Sequence, residues 1–158
     1  MRRLHPGFTL IELIIVITIL AVLAAVAIPR FVALQVDARI AKVNGMLGSV
    51  KAAAVLARSV QLTQGLAPDT AVTMEGATIA MVNGYPSAAS IAVAAGVSAP
   101  DFSVGAVTSV SGANQISLAS DLDHPDCAVV YREAGVGTAP VYSATLDPGS
   151  ATDRAKCA

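Results

Sequence analysis

The sequence predicts an α+β fold, one long amino-terminal helix followed by a head of short antiparallel strands. Two observations carry this expectation. Across residues 13–28 only Thr18 interrupts the aliphatic side chains, and from Val36 onward Val36, Ile40, Val43, Leu47, Val50, Ala54 and Ala57 recur at steps of four and three, which makes one stripe along a helix. After Pro68 the pattern changes to short apolar runs broken by turn residues, the pattern of strands.

The elements follow in order. The apolar run from Phe8 to Ile28 has 21 residues; at about 1.5 Å per residue it spans the roughly 30 Å of a bilayer core. Beyond it, Asp37, Arg39, Lys42, Lys51 and Arg58 largely avoid the stripe, so this segment is an amphipathic helix whose stripe must cover something, its own sheet being the simplest candidate. Gly45 and Gly48 each cost about 1 kcal/mol relative to alanine inside a helix. Close approach of another backbone or local flexibility would offset that, and the sequence does not choose between them. Gly65 followed by Pro68 stops the helix. "AVTMEGATIAMV" reads as a hairpin about Glu75 and Gly76, ended by "NGYP" at residues 83–86. "SAASIAVAAG" reads as a short helix ending at Gly96. "VGAVTSV" and "NQISLAS" flank "SGA" as a second hairpin. "CAVVYREA" and "APVYSATL" flank "GVGT" as a third, which Cys127 begins and Cys157 would tie to the carboxyl-terminal tail.

At 158 residues and 15.9 kDa the chain holds one domain plus an extra element. A net charge of -1 argues against nucleic-acid binding through the whole surface. Residues 30–60 hold Arg30, Arg39, Lys42, Lys51 and Arg58 against Asp37, whereas residues 61–158 hold nine acids against Arg132, Arg154 and Lys156. A basic stem and an acidic head imply either different neighbours or simply a solvated charged face. Cys127 and Cys157, 30 residues apart, match no zinc or redox spacing. In an exported chain a disulfide between them would stabilise the head by roughly 3 to 4 kcal/mol, the alternative being two buried thiols.

Enzymatic chemistry finds little support. The histidines are His5 and His124, and no nucleophile elbow, phosphate loop, dinucleotide fingerprint or metal-spaced Cys/His set occurs. No cofactor is expected. "DLDHPD" places Asp121, Asp123 and Asp126 in one loop that could hold calcium, although an acidic solvated loop is the simpler reading. Three Phe and three Tyr are too sparse for a charge-transport chain.

The amino terminus sets the compartment. Arg2 and Arg3 before the apolar run keep the leading end in the cytoplasm and send the bulk outward. One processing reading is a secretory signal cut after Ala27 at "AVA", releasing a soluble binding module. The other is a cut between Gly7 and Phe8 that leaves the apolar run on the mature chain. Glu12 discriminates between them. A carboxylate in apolar surroundings needs a partner, and a cut after Gly7 would place a cationic α-amine on Phe8, about one helical turn away.

A short basic leader ending in Gly7, then "FTLIE" and a long aliphatic helix, resembles the type IV pilin family, including the pseudopilins of type II secretion. The resemblance implies that a prepilin peptidase removes residues 1–7 and methylates Phe8, and that Glu12 is the residue required for assembly. It also implies that Pro29 sits at the helix-weakening position. Residues 8–29 would be the transmembrane and filament-core helix, 30–65 the amphipathic helix and 66–158 the head. Such a chain waits in the cytoplasmic (inner) membrane and is then built by a pilus assembly machinery into an extracellular homo-oligomeric filament. It is a structural protein, not an enzyme. "GMLGSVKAAA", "NGYP" and the late cysteine pair are similar to pilins of the mannose-sensitive haemagglutinin type.

Overall fold

The computed structural model describes residues 7–143 and 145–158. The basic leader residues Arg2 and Arg3, together with His5, lie outside them. The architecture is α+β, as expected: a long helix, short antiparallel strands and two small helices. The chain forms two compact units, Met1–Gln35 and Val36–Ala158.

Helix α1 runs from Leu10 to Thr63, 54 residues, with Pro29 inside it. In the first unit its residues are exposed, apart from the half-buried Ala33. This stretch is long and apolar enough to cross a membrane. In the second unit the expected stripe is buried: Val36, Ile40, Val43, Leu47, Val50, Ala54 and Ala57 face the core, joined by Met46, Ala53 and Gln61. Gln61 is buried because its amide nitrogen reaches the carbonyls of Ala67, Pro68 and Thr70, each at 3.0 Å. It thereby ties the chain leaving the helix back to its last turn.

The head begins with β1 (Val72–Met74) and β2 (Ala77–Ile79), paired Val72 to Ile79 and Met74 to Ala77. Glu75 and Gly76 both take positive φ, +50° and +82°, as a two-residue primed turn requires. Strands β3 (Met81–Val82) and β4 (Tyr85–Pro86) form a second tight hairpin, with Asn83 and Gly84 at +52° and +86°. "NGYP" therefore opens a hairpin of its own instead of only ending the first. At Gly84 an added Cβ would also lie 2.6 Å from the Arg58 guanidinium, so that side chain would have to shift. Helix α2 (Ile91–Ala94) is a single turn, and Gly96 follows it at φ +66°.

The main sheet has five strands. β5 (Ser103–Val104) and β6 (Thr108–Val110) both pair with β7 (Ala113–Ala119), which pairs with β8 (Ala128–Arg132), and β8 pairs with β9 (Val141–Tyr142). All pairings are antiparallel. The β6–β7 turn places Ser111 and Gly112 at positive φ, as the "SGA" reading predicts. The sheet delivers Ile116, Leu118, Val129 and Tyr131 into a core shared with the α1 stripe. Tyr131 is fully buried, and its hydroxyl donates to the Pro86 carbonyl at 2.6 Å. A smaller cluster of Ala57, Val72, Ile79 and Met81 lies under the first hairpin.

The carboxyl-terminal tail is more structured than the sequence reading expected. Helix α3 (Ala151–Lys156) starts at Ser150, whose hydroxyl accepts from the Asp153 amide at 3.3 Å. It delivers Cys157 to Cys127 as a buried disulfide. Three contacts fasten this tail to α1. Asp37 pairs with Arg154, Arg39 donates to the Cys157 carbonyl at 2.9 Å, and Asn44 exchanges two hydrogen bonds with the Leu146 backbone at 2.8 and 2.9 Å.

Candidate processing and assembly site

Gly7, Phe8 and Thr9 precede the helix and carry no regular structure. Phe8 is 86% exposed, and open space surrounds the position where a Gly7 side chain would begin. The Gly7–Phe8 peptide bond thus lies in accessible, non-helical chain, the form in which a protease can bind backbone.

Glu12 sits in the first turn of α1, and its partner within the chain is Thr9. The Thr9 amide donates to Glu12 Oε2 at 2.9 Å and the Thr9 hydroxyl donates to the same oxygen at 2.7 Å. The Glu12 amide in turn contacts the Thr9 hydroxyl oxygen at 3.3 Å. This is a capping box, the Thr-x-x-Glu pattern in which two otherwise unpaired amides at a helix start are satisfied reciprocally. A carboxylate near the positive end of the helix dipole gains further stabilisation. The sequence carries this signal at residues 9–12, but a search for an opposite charge beside Glu12 passes over it. In the uncleaved chain the Phe8 nitrogen is a neutral amide, so Thr9 is the group at hand.

Pro29 lies inside α1, and the helix continues through it in the single chain. Pro29 has no amide hydrogen for the carbonyl four residues earlier, so this point holds one hydrogen bond fewer than its surroundings.

The Asp121 loop uses its first carboxylate internally. Asp121 Oδ1 accepts from the amides of Asp123 and His124 at 3.1 and 2.9 Å and lies 2.6 Å from His124 Nδ1. Its other oxygen accepts from Ser120 at 3.0 Å and faces Arg39 at 3.7 Å. Desolvation raises the Asp121 pKa, but the hydrogen bonds from His124 and Ser120 outweigh it and hold the carboxyl below the usual range. Asp123 and Asp126 do not join it: among the described residues no group of three His, Cys, Asp or Glu side chains is gathered as a metal would require.

The comparisons with known proteins meet this site. Residues 2–28 match the prokaryotic N-terminal methylation motif, which contains Gly7, Phe8, Thr9 and Glu12. The motif thus stands at the start of the long helix of an α+β architecture. The type IV narrow pilus major component PilA5 of Thermus thermophilus is 49% identical over 51 residues, 32% of this chain and 44% of that protein. The similarity therefore spans less than half of the relative's length. No solved structure matches the chain. Neither comparison supports a placement with the mannose-sensitive haemagglutinin pilins.

Proposed function

We propose that this chain is a structural subunit of a type IV pilus, made as a membrane-anchored precursor and polymerised through α1 into an extracellular filament. The observation that carries the reading is the methylation motif at the head of an exposed, uncovered apolar helix. Its parts then have defined tasks. A prepilin peptidase and methyltransferase cuts Gly7–Phe8 in the exposed segment and methylates the new Phe8 terminus. The apolar run 8–29 holds the subunit in the cytoplasmic membrane until the pilus assembly machinery extracts it.

Glu12 acts in two states. Before assembly its carboxylate is occupied by Thr9, which lowers the penalty of placing it at the edge of an apolar medium. In the filament it turns to the cationic Phe8 terminus of a neighbouring subunit. Because a charge left unpaired in that packed core is penalised by several kcal/mol, only the axial register that joins Glu12 to Phe8 is retained. Pro29, already short of one hydrogen bond, is where α1 loosens as the helices pack. The role is structural, with no catalytic step and no cofactor.

Intact-mass measurement of the membrane or filament form tests this reading. The expected mature chain is 8–158 with a methylated Phe8. A chain beginning at Ile28 would instead make the protein a soluble module released by signal peptidase and end the pilin reading. A type II secretion pseudopilin shares the processing; long, shearable surface filaments built from this subunit decide for the pilus.

A further inference from the structure

A cavity of about 270 Å³ opens in the second unit where the end of α1 meets the β3–β4 turn and the loop after β8. Leu62, Leu66, Pro68 and Val136 give it aliphatic walls, and two polar side chains of α1, Arg58 and Gln61, also line it. These two stand three residues apart and so share one side of the helix. Both approach the face of Gly84: a Cβ built there would lie 2.6 Å from Arg58 Nη1 and 3.5 Å from Gln61 Oε1. The absence of a side chain at Gly84 is what lets the two groups come together.

Each of the two has bonding capacity that the chain does not use. The Gln61 amide nitrogen serves the carbonyls of Ala67, Pro68 and Thr70, which fixes the amide and turns its oxygen the other way. That oxygen accepts from no described group. Among the described residues no sealed side-chain oxygen or nitrogen lacks a partner, so this one is open to the cavity. The half-buried Arg58 lies over the Tyr85 ring at 4.6 Å and makes one long hydrogen bond, from Nη1 to the Gly84 carbonyl at 3.4 Å. A guanidinium carries five N–H donors, and among the described residues no carboxylate pairs with it. By contrast Arg39 faces Asp121, and Arg154 pairs with Asp37. Neighbouring donors are spent: the Gly84 amide donates to the Pro68 carbonyl and the Asn83 side chain to the Ala134 carbonyl, both at 2.8 Å. Asp69 accepts from the Asn83 amide at 2.8 Å and does not line the cavity.

We infer that this cavity binds the carboxyl-terminal residue of a peptide, one with an aliphatic side chain. The α-carboxylate meets the Arg58 guanidinium, whose planar fork matches it and whose stacking on Tyr85 holds it in place. One open acceptor takes one donor, so the terminal residue's amide N–H donates to Gln61 Oε1. The ammonium of a free amino acid would bring three protons to that single acceptor. The side chain rests on Leu62, Leu66 and Pro68, apolar area that water otherwise covers. An acidic sugar fits less well: Arg58 occupies the Tyr85 face, and among the described residues no aromatic ring lines the cavity for a sugar to stack on. Capture of a terminal carboxylate is a recurring mode of peptide recognition. The inference goes beyond the pilus reading and does not depend on it.

The test uses the isotope-labelled full chain with its native disulfide in detergent micelles, the Gly84 and Gly137 amides serving as reporters. N-acetyl-L-leucine should shift both saturably. N-acetyl-L-leucinamide, which lacks the carboxylate, should bind about ten-fold more weakly. N-acetylglycine, which lacks the side chain, and free L-leucine should also bind more weakly than N-acetyl-L-leucine. Arg58→Gln should weaken N-acetyl-L-leucine by about ten-fold. Because Arg58 also packs on Tyr85, Val136→Glu stands beside it: this residue is 89% exposed, so the head's Tm should hold while a carboxylate at the wall weakens binding about three-fold. No saturable shift, equal affinity for the leucinamide, tighter binding of free leucine, or unchanged affinity in both variants would overturn the inference. The pilus reading stands or falls separately, on the mass of the mature chain.

Discussion

The two halves of α1 belong to one helix and answer to different surroundings. From Leu13 to Ile28 the side chains are exposed and, but for Thr18, apolar on every side, with Glu12 capping the start. After Val36 the helix is two-faced: one stripe is sealed by the sheet, the other is bare, and the charges beside the bare stripe bend onto the head. A helix apolar all round needs lipid or other helices on all sides, whereas a helix with a single buried stripe needs an apolar surface on that side alone. The first half is therefore stabilised by what surrounds the molecule, and the second largely by the molecule itself. Substitutions in the first half should change assembly and leave the head intact; those on the buried stripe of the second should change the head.

The largest effect is expected at Glu12. If Glu12 pairs with a neighbour's Phe8 amine as proposed, Glu12→Val should leave membrane insertion and cleavage intact but abolish filaments, because that amine would be stranded in low dielectric at about 3 to 5 kcal/mol per subunit. Glu12→Asp, which keeps the charge but not the reach, should be intermediate. Sheared-filament yield beside processed subunit in membranes measures both, and normal yield from the valine variant would break the comparison at its first half.

Next comes the covered half. Cys127→Ser should lower head stability by roughly 3 to 4 kcal/mol, the chain-entropy estimate for a loop of this length, and make the head sensitive to protease. Non-reducing peptide mapping of the parent should recover the Cys127–Cys157 peptide. A variant as resistant as its parent would mean that the Asp37, Arg39 and Asn44 contacts hold the tail without the bond.

A smaller change is expected at the cap. Thr9→Ala removes the hydroxyl from the capping box at about 1 kcal/mol, confined to the first turn. Amide exchange should quicken at Ile11 and Glu12 while the head's Tm is unchanged. A shift in Tm would show that the halves are energetically coupled.

The smallest effect is a pH dependence at Asp121. Its pKa is depressed in the folded head, so its contribution is fully present above the unfolded value near 3.9 and is lost as pH falls through the lower folded value. The Tm of the head should fall more steeply below about pH 4 in the parent than in Asp121→Asn. Parallel curves would mean that solvent screens this partly exposed carboxylate.

Much of the fold was legible because it is written in local repeats. The Val36 to Ala57 stripe, the Glu75-Gly76 and Ser111-Gly112 turns and the Gly96 helix stop each follow from spacing or from positive φ, which a few neighbouring residues decide. The methylation motif is local in the same way. The Thr9–Glu12 cap was equally local, and went unseen because a buried-charge argument looks for a cation where a hydroxyl and an amide suffice.

The sequence by itself determined that α1 is long, where its apolar run lies, which stripe meets the head and where the Glu75-Gly76 and Ser111-Gly112 turns fall, since all of these depend on residues within one or two turns of each other. Only the tertiary structure decided that β5 and β6 share β7, that a six-residue helix carries Cys157, and that Asp37 and Arg39 hold a tail more than a hundred positions away. It also decided that Lys42, Lys51 and Arg58 of α1 lie over the Phe102, Tyr142 and Tyr85 rings of the head. Pairings of that kind leave no period in the chain, because their geometry exists only after the stripe has closed on the sheet and brought distant segments within a few ångströms.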